Sequence, residues 1–167
     1  MPKQKVYMEN GIITSGIRTL LSREKFIFVA TANAESEANI APKILIKVDG
    51  DDIYLADYVL NKTFKNLKIN PQVALGIVDK ITFAGYQLKG KAEVLVSGTM
   101  HEKLTSELQD KVIELTVETV IRGVRQGQKQ RVQDVSFNDQ VAIFKVSVFE
   151  VVEIAPSGAM KRMQKPI

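Results

Sequence analysis

The chain has 167 residues, of which 45% are apolar and 25% charged, a balance that suits one packed domain and excludes disordered and fibrous classes. It carries no cysteine and one histidine, which excludes disulfide frameworks, thiolate metal sites, cysteine nucleophiles and multi-histidine centres. A formal net charge of +4 is a mild bias towards anionic partners, and a phosphate-bearing cofactor satisfies it as well as nucleic acid does.

The basic start, Met1-Pro2-Lys3-Gln4-Lys5, is not followed by an apolar run of signal-peptide type. No stretch approaches the roughly 18–20 apolar residues of a membrane span, so the expectation is a cytoplasmic protein without membrane contact. Thr14-Ser15-Gly16 can cap a first helix, with Ile17, Leu20 and Leu21 at helical spacing. Phe26 to Asn33 is β-branched and aromatic, a buried-strand pattern. Asn39 to Val48 alternates as a second strand. Ile40, Pro42, Ile44, Ile46 and Val48 share one face, and Asn39, Ala41, Lys43, Leu45 and Lys47 the other. Pro42 cannot donate a ladder hydrogen bond, so an edge, bulge or opening is expected there.

Asp49-Gly50-Asp51-Asp52 signals a hairpin into a third strand, Ile53 to Val59. Thr63 can cap a short helix over residues 64–69, ended by Pro71. Val73 to Asp79 is a fourth strand. Gly85 to Ser97 is a fifth, with Tyr86, Leu88, Gly90, Ala92, Val94 and Val96 on one face and Gln87, Lys89, Lys91 and Glu93 on the other. A long helix starts near Thr99, with a buried stripe through Leu104, Leu108, Val112, Leu115 and Val120. The basic segment 122–131 is expected to fray into a loop. Val141 to Ile154 is the last strand, and the tail from Pro156 is expected to be loose.

Six strands with one apolar face each tend to close on themselves, because closure removes the edges. The expected fold class is mainly β, with flanking α. It is a six-stranded antiparallel barrel with a short helix after strand three and a longer helix before the last strand. One domain spans 1–167, with its core over 12–155 and a basic tail over 156–167.

For function, Asn61-Lys62-Thr63 at the head of the short helix is the most informative run. A helix start presents free amides and a partial positive charge of about 0.5, and it binds phosphate readily. Lys62 adds a full charge, Thr63 a hydroxyl and Lys65 further positive field. On local pattern alone a plain cap with solvated lysines is the commoner explanation. Lys43 and Lys47 on strand two, and Gln87 and Lys89 on strand five, are polar-face groups that suit a planar anionic ligand lying across a barrel wall. Each alone is commonly a solvent-facing strand residue.

The run Tyr54 to Leu75, with Asn61-Lys62-Thr63 followed by Asn66-Leu67 and Asn70-Pro71-Gln72-Val73, resembles the heart of the FMN-binding split-barrel superfamily. This group is related to pyridoxamine 5'-phosphate oxidase, and the likeness is to its small FMN-binding members. It continues into Gly85 to Ala92 and extends back to Phe28–Ala32 and Asn39–Lys47, covering residues 12–105. The resemblance implies FMN as cofactor, with Lys62 and Thr63 on its phosphate beside Asn61. Asn39, Ala41, Pro42 and Lys43 would lie along the isoalloxazine edge, and Asp57 and Tyr58 would border the ring or ribityl chain. Gln87 and Lys89 would reach the cofactor, from the second subunit in one version. It also implies a homodimer with FMN in clefts between subunits. No catalytic residue is assigned, and no metal is expected.

The implied function is an FMN-binding oxidoreductase or electron-transfer protein, with NAD(P)H or another compound as donor. The alternatives are a non-catalytic flavin carrier and a deazaflavin-binding relative. Pyridoxamine phosphate oxidase has a Ser-Arg-Lys run where this chain has Asn61-Lys62-Thr63, and a Trp-containing C-terminal signature. This chain has no Trp, which argues against vitamin B6 oxidation itself. Single-stranded nucleic-acid binding through Arg122, Arg125, Lys129 and Arg131 is the rival from another class. It is disfavoured because the basic stretch lacks the aromatic residues on which bases stack. His101 at the start of the long helix reads as an exposed helix-start residue, with haem ligation as the sharper alternative.

Overall fold

The computed structural model describes residues 11–125 and 140–165. These form α1 (Ser15–Arg23), β1 (Phe26–Ala32), β2 (Ala38–Asp49), β3 (Asp52–Asp57), α2 (Lys62–Ile69), β4 (Gln72–Val78), β5 (Gly85–Leu95), α3 (Thr99–Arg125), β6 (Ala142–Ile154) and β7 (Met160–Gln164). The strands run in the order β3-β2-β1-β4-β5-β6-β7, and β6 also pairs with β3. Six antiparallel strands thereby close into a barrel, as the sequence pattern predicts.

Alternation along each strand sends one set of side chains inward. Ile27 and Val29 of β1, Leu45 of β2, Ile53 and Leu55 of β3, Leu75 of β4, Leu88 of β5 and Phe144 and Val146 of β6 fill the interior, all 2% exposed or less. Each such burial contributes about 1.5–3 kcal/mol, so the barrel interior dominates stability. Thr14 caps α1 by accepting from the Ile17 amide at 3.4 Å, and Ile17 and Leu21 bury against the barrel.

The outer face carries a second, smaller core. Leu104 and Leu108 of α3 cover Ile44, Ile46, Tyr54, Ala56 and Ile143, with Val112 packed beside them. The predicted stripe is thus seen at its first three positions; the side chains of Leu115 and Val120 lie outside the described residues. The helix runs on to Arg125, further than the expected loop start at 122, and residues 126–139 lie outside the described part of the chain.

Two expectations are corrected here. The apolar face assigned to β2 does not face the interior. In register, Lys43 lies opposite Ile27 and Ala41 opposite Val29, so the row Asn39, Ala41, Lys43, Leu45 is the inward one. A bulge then shifts the register between Leu45 and Lys47. Ile46 packs under α3, Lys47 reaches Glu107 of α3, and Val48 turns inward, so Val48 does not share a face with Ile40–Ile46. The tail is not loose either. Residues Met160–Gln164 pair with Glu150–Ile154, and Met163 is 5% exposed in the core. One buried methionine flanked by Arg162 and Gln164, both hydrogen-bonded or ion-paired to buried Glu150, is enough to anchor this strand.

The barrel is split at one seam. Pairing of β2 with β3 ends at Ile44 opposite Ala56, whereas β2 continues along β1 as far as Ala38. Pro42, with no amide to give, lies in this unpaired stretch, as its chemistry predicts. The chain leaving β3 turns at Leu60, whose φ of 48° is left-handed and strained for a side chain with a Cβ. Then α2 enters the gap and buries Thr63, Asn66 and Leu67.

Candidate functional site

The seam holds a cavity of about 290 Å³, lined by Asn39, Ala41, Pro42 and Lys43 of β2, by Asp57, Tyr58 and Val59 after β3, and by Asn61, Lys62 and Thr63 at the start of α2. Nine sequence-predicted site residues meet in this one space, although they come from three separate segments. Gln87 and Lys89 do not. Gln87 is exposed on the outer barrel face between Gly76 and Val152, and Lys89 lines a different cavity with Ala30, Thr31 and Phe149.

The cavity floor is an ion pair. Lys43 Nζ lies 2.9 Å from Asp57 Oδ1, with the side chains 8% and 1% exposed. Asp57 faces inward because its neighbour in register, Ala142, belongs to the barrel core. Its Oδ1 also accepts from the Val59 amide at 3.1 Å, which fixes the turn that carries Tyr58 and Val59 to the rim. Its Oδ2 is buried and has no hydrogen-bond partner among the described residues. A buried carboxylate oxygen left unsatisfied costs stability, so it is a place where a ligand donor is favoured. Sequence reading puts Lys43 on a polar face. Its burial against Asp57 is visible only once the strand faces are known.

The α2 end of the cavity differs from the expectation in one detail. Asn61, not Thr63, is the N-cap residue, and it makes no side-chain cap bond. Thr63 lies in the first turn, 2% exposed, and its Oγ1 accepts from Asn39 Nδ2 at 3.2 Å. One turn on, Asn66 Nδ2 donates to Thr31 Oγ1 at 3.1 Å in a buried contact. These two bonds tie the helix to β2 and β1 and hold its first turn towards the cavity. The amides of that turn have no intrahelical acceptor, and Lys62 beside them is exposed. The arrangement offers amides, a hydroxyl and an ammonium to an anion at one end, and an ion pair with one unsatisfied oxygen at the other.

Lys47 points to α3 and the Tyr54 ring, so it does not join the cavity. Lys89 pairs with Glu150 at 2.9 Å. Burial alone would push the Glu150 carboxyl up, but bonds from Lys89 and Gln164 outweigh it and hold its pKa below the ordinary value. His101 is not a plain exposed residue. It is half-buried, and its Nε2 donates to the Val141 carbonyl at 2.7 Å, tying the head of α3 to the start of β6.

A six-stranded antiparallel barrel, opened at one seam and plugged there by a short helix, is the split-barrel fold. The sequence profile for pyridoxamine 5'-phosphate oxidase matches residues 13–135, and the chain belongs to that family. A protein of Methanocaldococcus jannaschii described as uncharacterized is 34% identical over 98 residues, which span 56% of this chain and 65% of that relative. Among solved structures, a pyridoxamine 5'-phosphate oxidase-related, FMN binding protein from Nostoc punctiforme superposes with a TM-score of 0.58 at 10% identity, covering 96% of this chain and 100% of its own. A heme binding protein from Mycobacterium smegmatis gives 0.61 at 17% identity, over 88% of this chain and 55% of its own. An F420 reductase gives 0.55 at 16%, over 83% and 97%. Likenesses at these identities establish the shared fold. Among the described residues, no helix is long and apolar enough to cross a membrane.

Proposed function

We propose that the protein binds FMN in the seam cavity and acts as a flavin-dependent oxidoreductase or electron-transfer protein. The observation that carries this reading is the convergence of Asn39–Lys43, Asp57–Tyr58 and Asn61–Thr63 on one cavity. Lys62, the Thr63 hydroxyl and the first-turn amides of α2 would hold the phosphate, where helix field and lysine charge act together. Asp57 Oδ2, buried and unsatisfied, fits a hydrogen-bond donor of the ring or ribityl chain. Asn39 would position Thr63 through its hydrogen bond. Lys43 would contribute less positive field than an isolated lysine, because Asp57 at 2.9 Å offsets it. Bound FMN would supply one- or two-electron transfer. Vitamin B6 oxidation itself is not proposed.

The cavity, at about 290 Å³, sits at the lower end of the roughly 300–1,000 Å³ of small-molecule sites, so a nucleotide there would project beyond it. The barrel face beside the seam is apolar and exposed at Phe28 and Ile40. We infer a homodimer that covers this face and encloses the rest of the cofactor. Gln87 and Lys89, on the outer barrel face, would then approach the cofactor across the dimer. A deazaflavin is the second reading, favoured by the F420 reductase among the fold relatives. Haem ligation by His101 is disfavoured, because its Nε2 is engaged by Val141.

The visible spectrum of purified protein tests the reading, followed by identification of the released chromophore. Flavin bands that NAD(P)H or another donor bleaches catalytically support the oxidoreductase; bands without turnover support a carrier. Replacing Lys62 and Thr63 together by Ala removes contacts worth about 1.5–3 kcal/mol each, so FMN affinity should fall at least about 100-fold. Unchanged affinity in that variant rules out the phosphate assignment.

A further inference from the structure

A second cavity, about 340 Å³, lies between α1, the β2 bulge and α3, away from the seam. Its wall presents Arg18, Ser22, Lys47 and Lys111 over the backbone of Leu45 and Ile46, and among the described residues no carboxylate lines it. We propose that this cavity binds a small, multiply charged anion of the phosphate-ester or polycarboxylate class. The proposal does not depend on the cofactor assigned to the seam.

The bulge creates the setting. Between Leu45 and Lys47 the ladder to β3 shifts, and the carbonyls of Leu45 and Ile46 are met instead by Lys111 Nζ at 2.5 and 3.3 Å. An ammonium has three N–H groups, so one donor remains beyond these two bonds. Burial lowers the Lys111 pKa, and the charge of Glu114 only partly restores it. An anion beside it would favour the charged form and relieve that desolvation. Arg18 Nη2 donates to the Gly50 carbonyl at 2.5 Å, which fixes the guanidinium at the cavity while most of its five N–H donors stay uncommitted. Lys47 is held at the rim by Glu107, 3.3 Å away, and by the Tyr54 ring.

Against Glu107, which pairs with Lys47, and Glu114, which acts on Lys111, the three cations Arg18, Lys47 and Lys111 leave one net positive charge among these five groups. Three cationic side chains and a hydroxyl converging from α1, β2 and α3 are arranged around a shared space rather than spread over a face. That geometry suits an anion with several acceptor oxygens, which can take donors from Arg18, Lys47 and Lys111 at once, while the Ser22 O–H already donates to the Thr19 carbonyl at 2.8 Å.

Calorimetric titration of the full chain at low salt, with pyrophosphate and with citrate as probes, tests this. Saturable binding of either, weakened at least about tenfold in both Arg18→Gln and Lys111→Met, is the expected result, and the preferred probe identifies the anion class. Because Lys111 also satisfies the bulge carbonyls, Arg18→Gln decides the matter if Lys111→Met does not fold. The ¹³Cε resonance of Lys111 should also report a raised pKa when the probe is bound. No saturable binding of either probe, binding unchanged in Arg18→Gln, or binding abolished instead by Lys62→Ala would overturn the proposal.

Discussion

On one flank of the barrel, Ile44, Ile46 and Ile143 lie under Leu104 and Leu108 of α3. On the other, the outer faces of β1 and the unpaired end of β2 leave Phe28 57% and Ile40 67% exposed. Both surfaces are apolar and both draw on β2, yet among the described residues only the first is covered by a helix. The bare flank is also flat around Phe28, whose neighbours in register are Pro42 on β2 and Gly76 on β4. An aromatic ring standing between proline and glycine gains little from its own sheet. Grouped exposed side chains of this kind mark surfaces that meet another molecule. The bare flank borders the seam cavity through Pro42, so whatever covers it also bears on the candidate cofactor site.

Phe28→Asp breaks the comparison most directly. Burying a phenylalanine contributes about 1.5–3 kcal/mol, and a symmetric dimer counts it twice. Sedimentation should show dimer dissociation strengthened by two to four orders of magnitude, roughly, with thermal stability of the monomer little changed. A dimer that survives this substitution intact would place the interface elsewhere. Leu108→Ala is the converse. Its side chain is 1% exposed under α3, and truncation should lower unfolding free energy by about 2–5 kcal/mol in denaturant titration, with no effect on oligomeric state.

The smallest expected effect lies where neither flank is involved, at Asp51. Burial would push this carboxyl up, but the amides of Ile13 and Ile12 and the ammonium of Lys165 outweigh it and hold its pKa below the ordinary value. Both amides lie 3.0 Å from Oδ1, and Lys165 Nζ lies 3.2 Å from Oδ2. A carboxyl lowered in the folded state contributes stability that is present above its unfolded value near 3.9. That contribution is lost as pH falls through the lower folded value. Asp51→Asn should therefore lower stability at neutral pH by about 1.5–3 kcal/mol and flatten the acid side of the stability profile, while wild type and variant converge in strong acid. An unchanged acid limb in the variant would show that Asp51 does not anchor the N-terminal segment and the C-terminal tail.

How legible the site was depends on which residue is considered. Asn61, Lys62 and Thr63 stand out locally as a polar, cationic helix start, but that pattern alone also fits a plain cap, and only the family resemblance and the neighbouring lysines favour a site. Pro42 announces the seam, because a residue without an amide is out of place in a paired strand. Lys43 is a candidate from its polar strand face, whereas Asp57 is assigned to the site only through the family resemblance. Alternation says that Asn39, Ala41 and Lys43 share a face, but a polar face reads as solvent-exposed, and here it turns into the barrel. The bulge after Leu45 hides this further, since it places Ile46 and Lys47 on the same side and breaks the period of two. β7 was hidden in a basic tail whose one buried side chain, Met163, gives no periodic signal.

By itself the sequence determined the six barrel strands in their order along the chain, the three helices that precede or separate them, and the cationic, amide-bearing character of the α2 start. These follow from local rules: side-chain period, turn chemistry and the missing amide of proline act within a few residues. Only the tertiary structure decided which face of β2 is inside, that Lys43 and Asp57 neutralise each other at the cavity floor, and which apolar flank goes uncovered. Those outcomes depend on register and closure, and register is set by contacts between residues far apart in the chain. A shift of a single residue in β2 would turn every side chain to the opposite face.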